Sequence, residues 1–350
     1  GATTSLQAQG GNLKASGDLN ITVTGGSNAV SISQNSLSSI VADSTGGGTL
    51  AAALTPSDLS IEADHSVNLY GYLQANQAGA QIDIAADATL LIDGMVESGA
   101  LLSLAADTIV LQPMTYQRGG TGNLYFVDDT GRLMDGQGNL VDASGQYVNA
   151  SGASVAVPVA GGNPMRISGG ILNTLAGGGI EMTATHDIHL NGQVGKPIIA
   201  NQVVSVNVDE ISITSIAGDI NVSGLVDAND DITFAAQDIS VFSGGVVKTR
   251  GTAGEVRLDA TGNVYVGADT GAGAAEVTAQ DLLHISGVNL ELDGSINAHD
   301  DAASRLLINA ATSLTVAGVL TSTGIADIRG GVDLSQTDAQ LAAASVAAST

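Results

Sequence analysis

A five-residue pattern, apolar-x-apolar-x-Ala, returns along this chain at a nearly constant distance from a second pattern, apolar-x-apolar-x-Gly-x-apolar. The first reads LSIEA from Leu59, IDIAA from Ile82, LSLAA from Leu102, IEMTA from Ile180, ITFAA from Ile232, VRLDA from Val256 and LLINA from Leu306, with ISITS from Ile211 a near match. The second reads VNLYGYL from Val67, LLIDGMV from Leu90, IHLNGQV from Ile188, INVSGLV from Ile220 and LTVAGVL from Leu314. It follows the first by about eight residues, and the pair recurs about every 19 to 25 residues.

Each pattern alternates with period two, so each reads as a strand with one buried face. Leu59, Ile61, Ile82, Ile84, Ile211, Ile213, Ile220, Val222, Leu314 and Val316 are expected to point inward, and Ser60, Asp83, Ser212, Asn221 and Thr315 outward. The stretches between the two patterns, such as ADHS, ATHD, IAGD and AAQD, carry turn chemistry and nothing helical. A third short apolar segment follows the glycine, at Val96, Val194, Val226 and Ile296, and then a loop of variable length. Strand, corner, strand, glycine bend, short strand and loop make one rung of a parallel β-helix. One rung cannot bury its inner face alone, which is why the unit repeats. About ten or eleven rungs spaced by ~4.8 Å predict a rod roughly 50 Å long.

Composition agrees with a narrow stacked core. Hydrophobic residues are 44% of the chain but aromatics only 3%, and Trp is absent, so the interior is built from Val, Ile, Leu and Ala, with no room for large rings. Ten Lys and Arg against 35 Asp and Glu give a formal net charge of −25, which argues against nucleic acid, whose binding needs a basic footprint. There is no Cys, hence no disulfide or thiolate metal site, and this fits an exported bacterial protein. No apolar run approaches the ~18 residues of a membrane span. The sequence begins GATTSLQAQG with no signal-peptide pattern and is already rung-like, so it reads as a mature or excised piece of a longer chain. The final TDAQLAAASVAAST fits a short helix capped by Thr337 or Asp338, or an Ala-rich rung; continuation into further rungs is preferred.

Units such as GDINVSGLVDANDDITFAAQDISV (Gly218 to Val241) and GNLKASGDLNITVTGG (Gly11 to Gly26) resemble the degenerate rungs of filamentous-haemagglutinin-type exoproteins. Those are large bacterial adhesins exported by two-partner secretion. The resemblance covers most of the chain outside about 113–163 and implies an all-β, single-stranded right-handed parallel β-helix with a role in adhesion. No match to the secretion domain of that family is present.

One segment breaks the rhythm. In DDTGRLM, DGQGNLV, DASGQYV and NASGASV, from Asp128 to Val155, Asp or Asn is followed three residues later by Gly and then by a short apolar pair. Asp first and Gly fourth suit a type I turn, so each heptad is a tight turn plus about three strand residues. This is hairpin rhythm. Pro113 stands where the bend glycine of the rung at Ile109 is expected, so the chain divides into rungs 1–112, a small antiparallel β-hairpin insertion 113–163, and rungs 164–350 of the same solenoid. The insertion holds Tyr116, Tyr125, Phe126 and Tyr147, four of the chain's nine aromatic residues (six Tyr and three Phe). With Tyr70 and Tyr72 on the rod they are the candidate binding residues, for a glycan, a partner protein or a neighbouring filament unit. Tyr265 also falls at an outward position. Asp128, Asp129, Asp135 and Asp142 admit loosely bound calcium, but one Asp per turn suits turn formation better than a loop of converging oxygens. No other cofactor is expected.

The candidates for catalytic chemistry are ANDD (Asp230, Asp231), AHDD (Asp300, Asp301) and the basic pair Arg250 and Arg257. Acid groups with Arg or Lys beside them would suit cleavage of an anionic polymer, yet the acid pairs lie about three rungs apart and cap corners adequately. His186 and His189 are spaced i, i+3, which on a strand sets them on opposite faces, so they read as solvated histidines. The expected function is therefore non-enzymatic: an extracellular, cell-surface structural and adhesive segment that displays loops for cell contact. Its partners would be further rungs, neighbouring copies in a fibre, surface glycans or cell-surface proteins, with neither nucleic acid nor membrane insertion. A polysaccharide-degrading enzyme or tailspike-like depolymerase on the same scaffold is the alternative.

Overall fold

The computed structural model describes residues 5–8, 12–15, 19–23, 29–32, 39–42, 58–69, 72–75, 79–113, 116–118, 124–127, 133–134, 139–142, 146–149, 151–159, 169–174, 177–195, 208–299, 304–330, 332–333 and 340–349. Every regular element among them is a strand. All but the three short strands Tyr116–Arg118, Leu124–Val127 and Leu133–Met134 belong to parallel ladders.

The strands stack in three ladders, one per face of a solenoid. On the first face a single register column runs Leu19, Leu59, Ile82, Leu102, Ile180, Ile211, Ile232, Val256, Leu283, Leu306, Ala326 and Val346, each paired with the next. The second face stacks Ile109 on Ile188, Ile220, Ile239 and Val264. The third stacks Val96 on Leu172, Val194, Val226 and Val247. The chain thus forms a parallel β-helix. Gln340–Ser349 is a strand paired in register with Val319–Arg329, so the Ala-rich end continues the rungs and is not a helix.

The register read from the pattern holds. Leu59, Ile61, Ile82, Ile84, Ile211, Ile213, Ile220, Val222, Leu314 and Val316 are all buried in one continuous core. Asp83 and Ser212 are exposed and Ser60, Asn221 and Thr315 half-buried, on the outer side. Each fully buried Val, Leu or Ile side chain contributes roughly 1.5–3 kcal/mol. Stacked parallel rungs align like on like, so short aliphatics fill the interior. The expectation of an interior with no room for large rings is corrected by Phe234, fully buried between Ile213 and Leu258 of its neighbouring rungs.

Two corner devices hold the turns. Between the second and third faces a column of small residues runs Gly94, Gly170, Gly192, Gly224, Gly245, Ala275, Gly294 and Gly318. A Cβ on Gly224 would lie 2.0 Å from the Gly192 carbonyl oxygen, and one on Gly318 would lie 2.0 Å from that of Gly294. Rung spacing leaves no volume there. Where the third face turns toward the next rung, buried hydroxyls close the bend: Ser98 donates to the Leu101 carbonyl at 2.6 Å, and Thr174 and Thr249 donate to the Gly178 and Gly254 carbonyls at 3.2 Å.

The insertion leaves the rod at this glycine corner. The amide of Gly170 donates to the Gln112 carbonyl at 2.9 Å, and Ile171–Thr174 completes the rung that Thr108–Leu111 began. Gly170, not Pro113, therefore carries the bend position, and the rod resumes at Gly169–Ile171; residues 160–168 lie outside the described residues. Within the insertion the three short strands are antiparallel, followed by antiparallel bridges Val141↔Tyr147 and Val148↔Ser154. Leu140, Val141 and Val148 are buried but stand apart from the core cluster of the rod.

Candidate functional site

The turn reading of the heptads is met at Asp142 and Asn149. Asp142 Oδ1 accepts the Gln146 amide at 3.0 Å, and Asn149 Oδ1 accepts the Ser151 and Ala153 amides at 3.0 Å. These oxygens close tight turns. Asp128, Asp129 and Asp135 lie outside the described residues. The register pairs Tyr116 with Phe126 and Gln117 with Tyr125, and Tyr147 is half-buried beside Val141. Tyr72 begins a third-face strand in register with Met95, and Tyr70 lies outside the described residues. The structure thus brings Tyr116, Tyr125 and Phe126 onto one two-stranded ladder, separate in sequence and sheet from Tyr72.

The other sequence candidates are distributed. Asp231 Oδ1 caps the Glu255 amide at 2.9 Å, while Asp230 is exposed at the same corner; Asp300 and Asp301 lie outside the described residues. Arg250 and Arg257 do not form a basic pair. Arg250 clamps the fully buried Asp227 of the preceding rung through Nε at 2.8 Å and Nη2 at 2.6 Å, which raises its pKa, and Arg257 bonds Glu255 at 2.6 Å. His186 sits exposed at a corner, 2.6 Å from Asp107, and His189 faces outward on the next strand. No group of three or more His, Asp or Glu among the described residues is arranged to hold a metal ion.

Three arrangements emerge once the rungs are stacked. The first is a ladder of corner carboxylates. The Asp219 amide donates to Asp187 Oδ1 at 2.9 Å, and the Asp238 amide donates to Asp219 Oδ1 at 3.2 Å. Desolvation first, and then the charges of Asp238 and Asp187, hold the Asp219 carboxyl above the usual aspartate range.

The second is a shallow cleft on the outer side of the first face over the late rungs, lined by His284, Arg305, Leu307, Asn309, Asp327 and Arg329, with a volume of about 150 Å³. Arg329 bonds Asp327 at 2.6 Å, and its hydrogen bond and charge hold that carboxyl below the usual range. His284 Nδ1 is buried 3.4 Å from Asp259 Oδ1 without an aligned hydrogen bond.

The third lies on the second face. The rings of Phe242 and Tyr265 have centroids 6.1 Å apart at 54°, and Phe242 is 41% exposed. Glu291 follows Tyr265 in register, and Asp293 stands at the corner beyond it. The partners on different rungs lie far apart in sequence, and irregular loops hide their alignment, whereas Asp327 with Arg329 and Glu291 with Asp293 are two residues apart and legible from alternation.

The fold defines the class of protein, a three-faced parallel β-helix solenoid with an antiparallel insertion at one corner. No protein-family model, curated protein or solved structure matches the chain.

Proposed function

We propose that this chain is a secreted structural and adhesive segment of a large bacterial surface or fibre-forming protein, similar in kind to the filamentous-haemagglutinin exoproteins. One observation carries the reading: a single column of strand positions stays in unbroken register from Leu19 to Val346 while the loops between its strands vary in length. A core of that kind supplies stiffness, because each strand is hydrogen-bonded to both neighbours. The variable loops and the insertion supply contact. Beads coated with the purified chain should adhere to cells or to one another, and beads coated with a chain lacking residues 114–168 should adhere less. Absence of adhesion in both would remove this reading.

The cleft of His284, Arg305, Asp327 and Arg329 favours a second reading, a polysaccharide-active enzyme. It is the weaker one. Asp327, the carboxylate that lines the cleft, is tied to Arg329 with a lowered pKa, the opposite of what a general acid needs. Release of reducing ends or unsaturated products from acidic polysaccharides, lost in His284→Ala, would reverse the ranking.

A further inference from the structure

The outer side of the second face carries an aromatic pair, an exposed Phe242 and a half-buried Tyr265. Phe242 is 41% exposed at its corner. Tyr265 lies over the neighbouring glycine, since a Cβ on Gly267 would meet its Cε1 and Oη at 3.1 Å. The register sets Glu291 directly after Tyr265. It also sets Asp293 directly after Gly267, in the corner column that passes through Phe242. Two rings and two carboxylates therefore occupy three consecutive rungs.

Asp293 Oδ1 is buried without a hydrogen-bond donor. Glu291 is exposed, and its register partners among the described residues are uncharged, Tyr265 on the preceding rung and Thr315 on the following one, while Asp293 stands just past the end of its strand. Aromatic faces attract cations placed within about 6 Å of the ring. A chain of net charge −25 concentrates cations at its surface as well.

We propose that Phe242, Tyr265, Glu291 and Asp293 form a docking site for a lysine or arginine side chain of a basic segment on a partner polypeptide. The ammonium or guanidinium would lie against the rings and donate to the exposed Glu291, with the Asp293 charge behind it. The site rests on the reading of the chain as a display rod and names one contact it makes. Partial desolvation, and then the charge and hydrogen bond of Asp293, raise the Glu291 pKa, so protonation of Glu291 competes with the cation. Binding is expected to strengthen as pH rises through that titration.

The test is titration of the purified chain with trilysine peptide at physiological salt, followed by calorimetry and tyrosine fluorescence. Phe242→Ala and Glu291→Gln should each weaken binding about tenfold, with strand content unchanged by circular dichroism. Asp83→Asn, on an exposed position of the first face, removes the same charge and should leave affinity unchanged. Equal weakening by Asp83→Asn and Glu291→Gln would mean diffuse attraction only and would overturn the proposal. So would tighter binding of a neutral oligosaccharide than of trilysine, insensitive to Glu291→Gln. Peptide binding with no adhesion of coated beads would leave the site standing and remove the adhesive function. Adhesion without site-specific peptide binding would do the reverse.

Discussion

Arg250 reaches back one rung and grips Asp227 with both sides of its guanidinium, at 2.6 to 3.0 Å, while the Asp227 side chain is fully buried and Arg250 remains 39% exposed. Asp227 is an outward residue of the third face, in register with Gly195 before it and Lys248 after it. That face is unusual over these rungs. Outward residues Ile171, Asn173, Leu225 and Asp227 are buried as thoroughly as the inward ones.

Removing one member of a buried ion pair strands the other. Arg250→Ala is therefore expected to cost about 3 kcal/mol, the low end of the 3–5 kcal/mol typical of such breaks, because Arg250 is itself partly solvated. The double variant Arg250→Ala with Asp227→Ala should recover part of that loss. Urea denaturation of the three proteins measures it, and a single-variant loss under about 1 kcal/mol would show the pair to be dispensable.

The glycine corner yields a contrast between two chemically identical changes. Gly224→Ala places a methyl 2.0 Å from the Gly192 carbonyl oxygen and 2.7 Å from the Asn191 carbonyl carbon, both backbone. Neighbouring rungs must separate to admit it, at a cost of about 1–3 kcal/mol or more. Gly179→Ala meets nothing closer than 3.6 Å. It should be neutral or stabilising by up to about 1 kcal/mol, through a less free unfolded chain. Thermal unfolding of the two variants side by side settles the order.

The stacked carboxylates make stability depend on pH in a stated direction. Asp219 has its pKa raised in the folded state, so its ionised form opposes folding. As pH falls through that raised pKa the folded chain takes up the proton first, and stability rises until pH drops below the unfolded value of 3.8. Asp219→Asn keeps an acceptor for the Asp238 amide and removes the charge. Its melting temperature should exceed that of the parent at pH 7, and the gap should narrow on acidification toward pH 4. A gap that widens instead would contradict the ladder.

The bond between Gly170 and Gln112 makes the insertion removable in principle. Shortening a loop changes closure entropy only slowly, and Leu140, Val141 and Val148 pack apart from the core of the rod. Joining Pro113 to Gly169 by a short Gly/Ser linker should retain strand content and cooperative melting. Collapse would show that the segment shields Ile171 and Leu225, which face outward yet are buried.

Much of this architecture is legible in one dimension, and for a local reason. Alternation along a strand fixes which side chains share a side, so Leu59 and Ile61 declare themselves inward without knowledge of any partner. The turn oxygens of Asp142 and Asn149 act within four residues of their own position and are equally visible. Phe234 was visible as an inward residue too, and only the assumed width of the core argued against a ring there.

What the sequence by itself determined is the rung: its three short strands, its glycine bend, and the sides of each strand. What only the tertiary structure decided is the neighbours across rungs. Loops of unequal length separate equivalent positions, so the register that sets Glu291 on Tyr265, Arg250 on Asp227 and Gly170 in the bend left by Gln112 is spatial. Backbone ladders and core packing choose that register, because a slip of one residue would turn every inward side chain out. The polar and aromatic clusters on the outer faces follow from it.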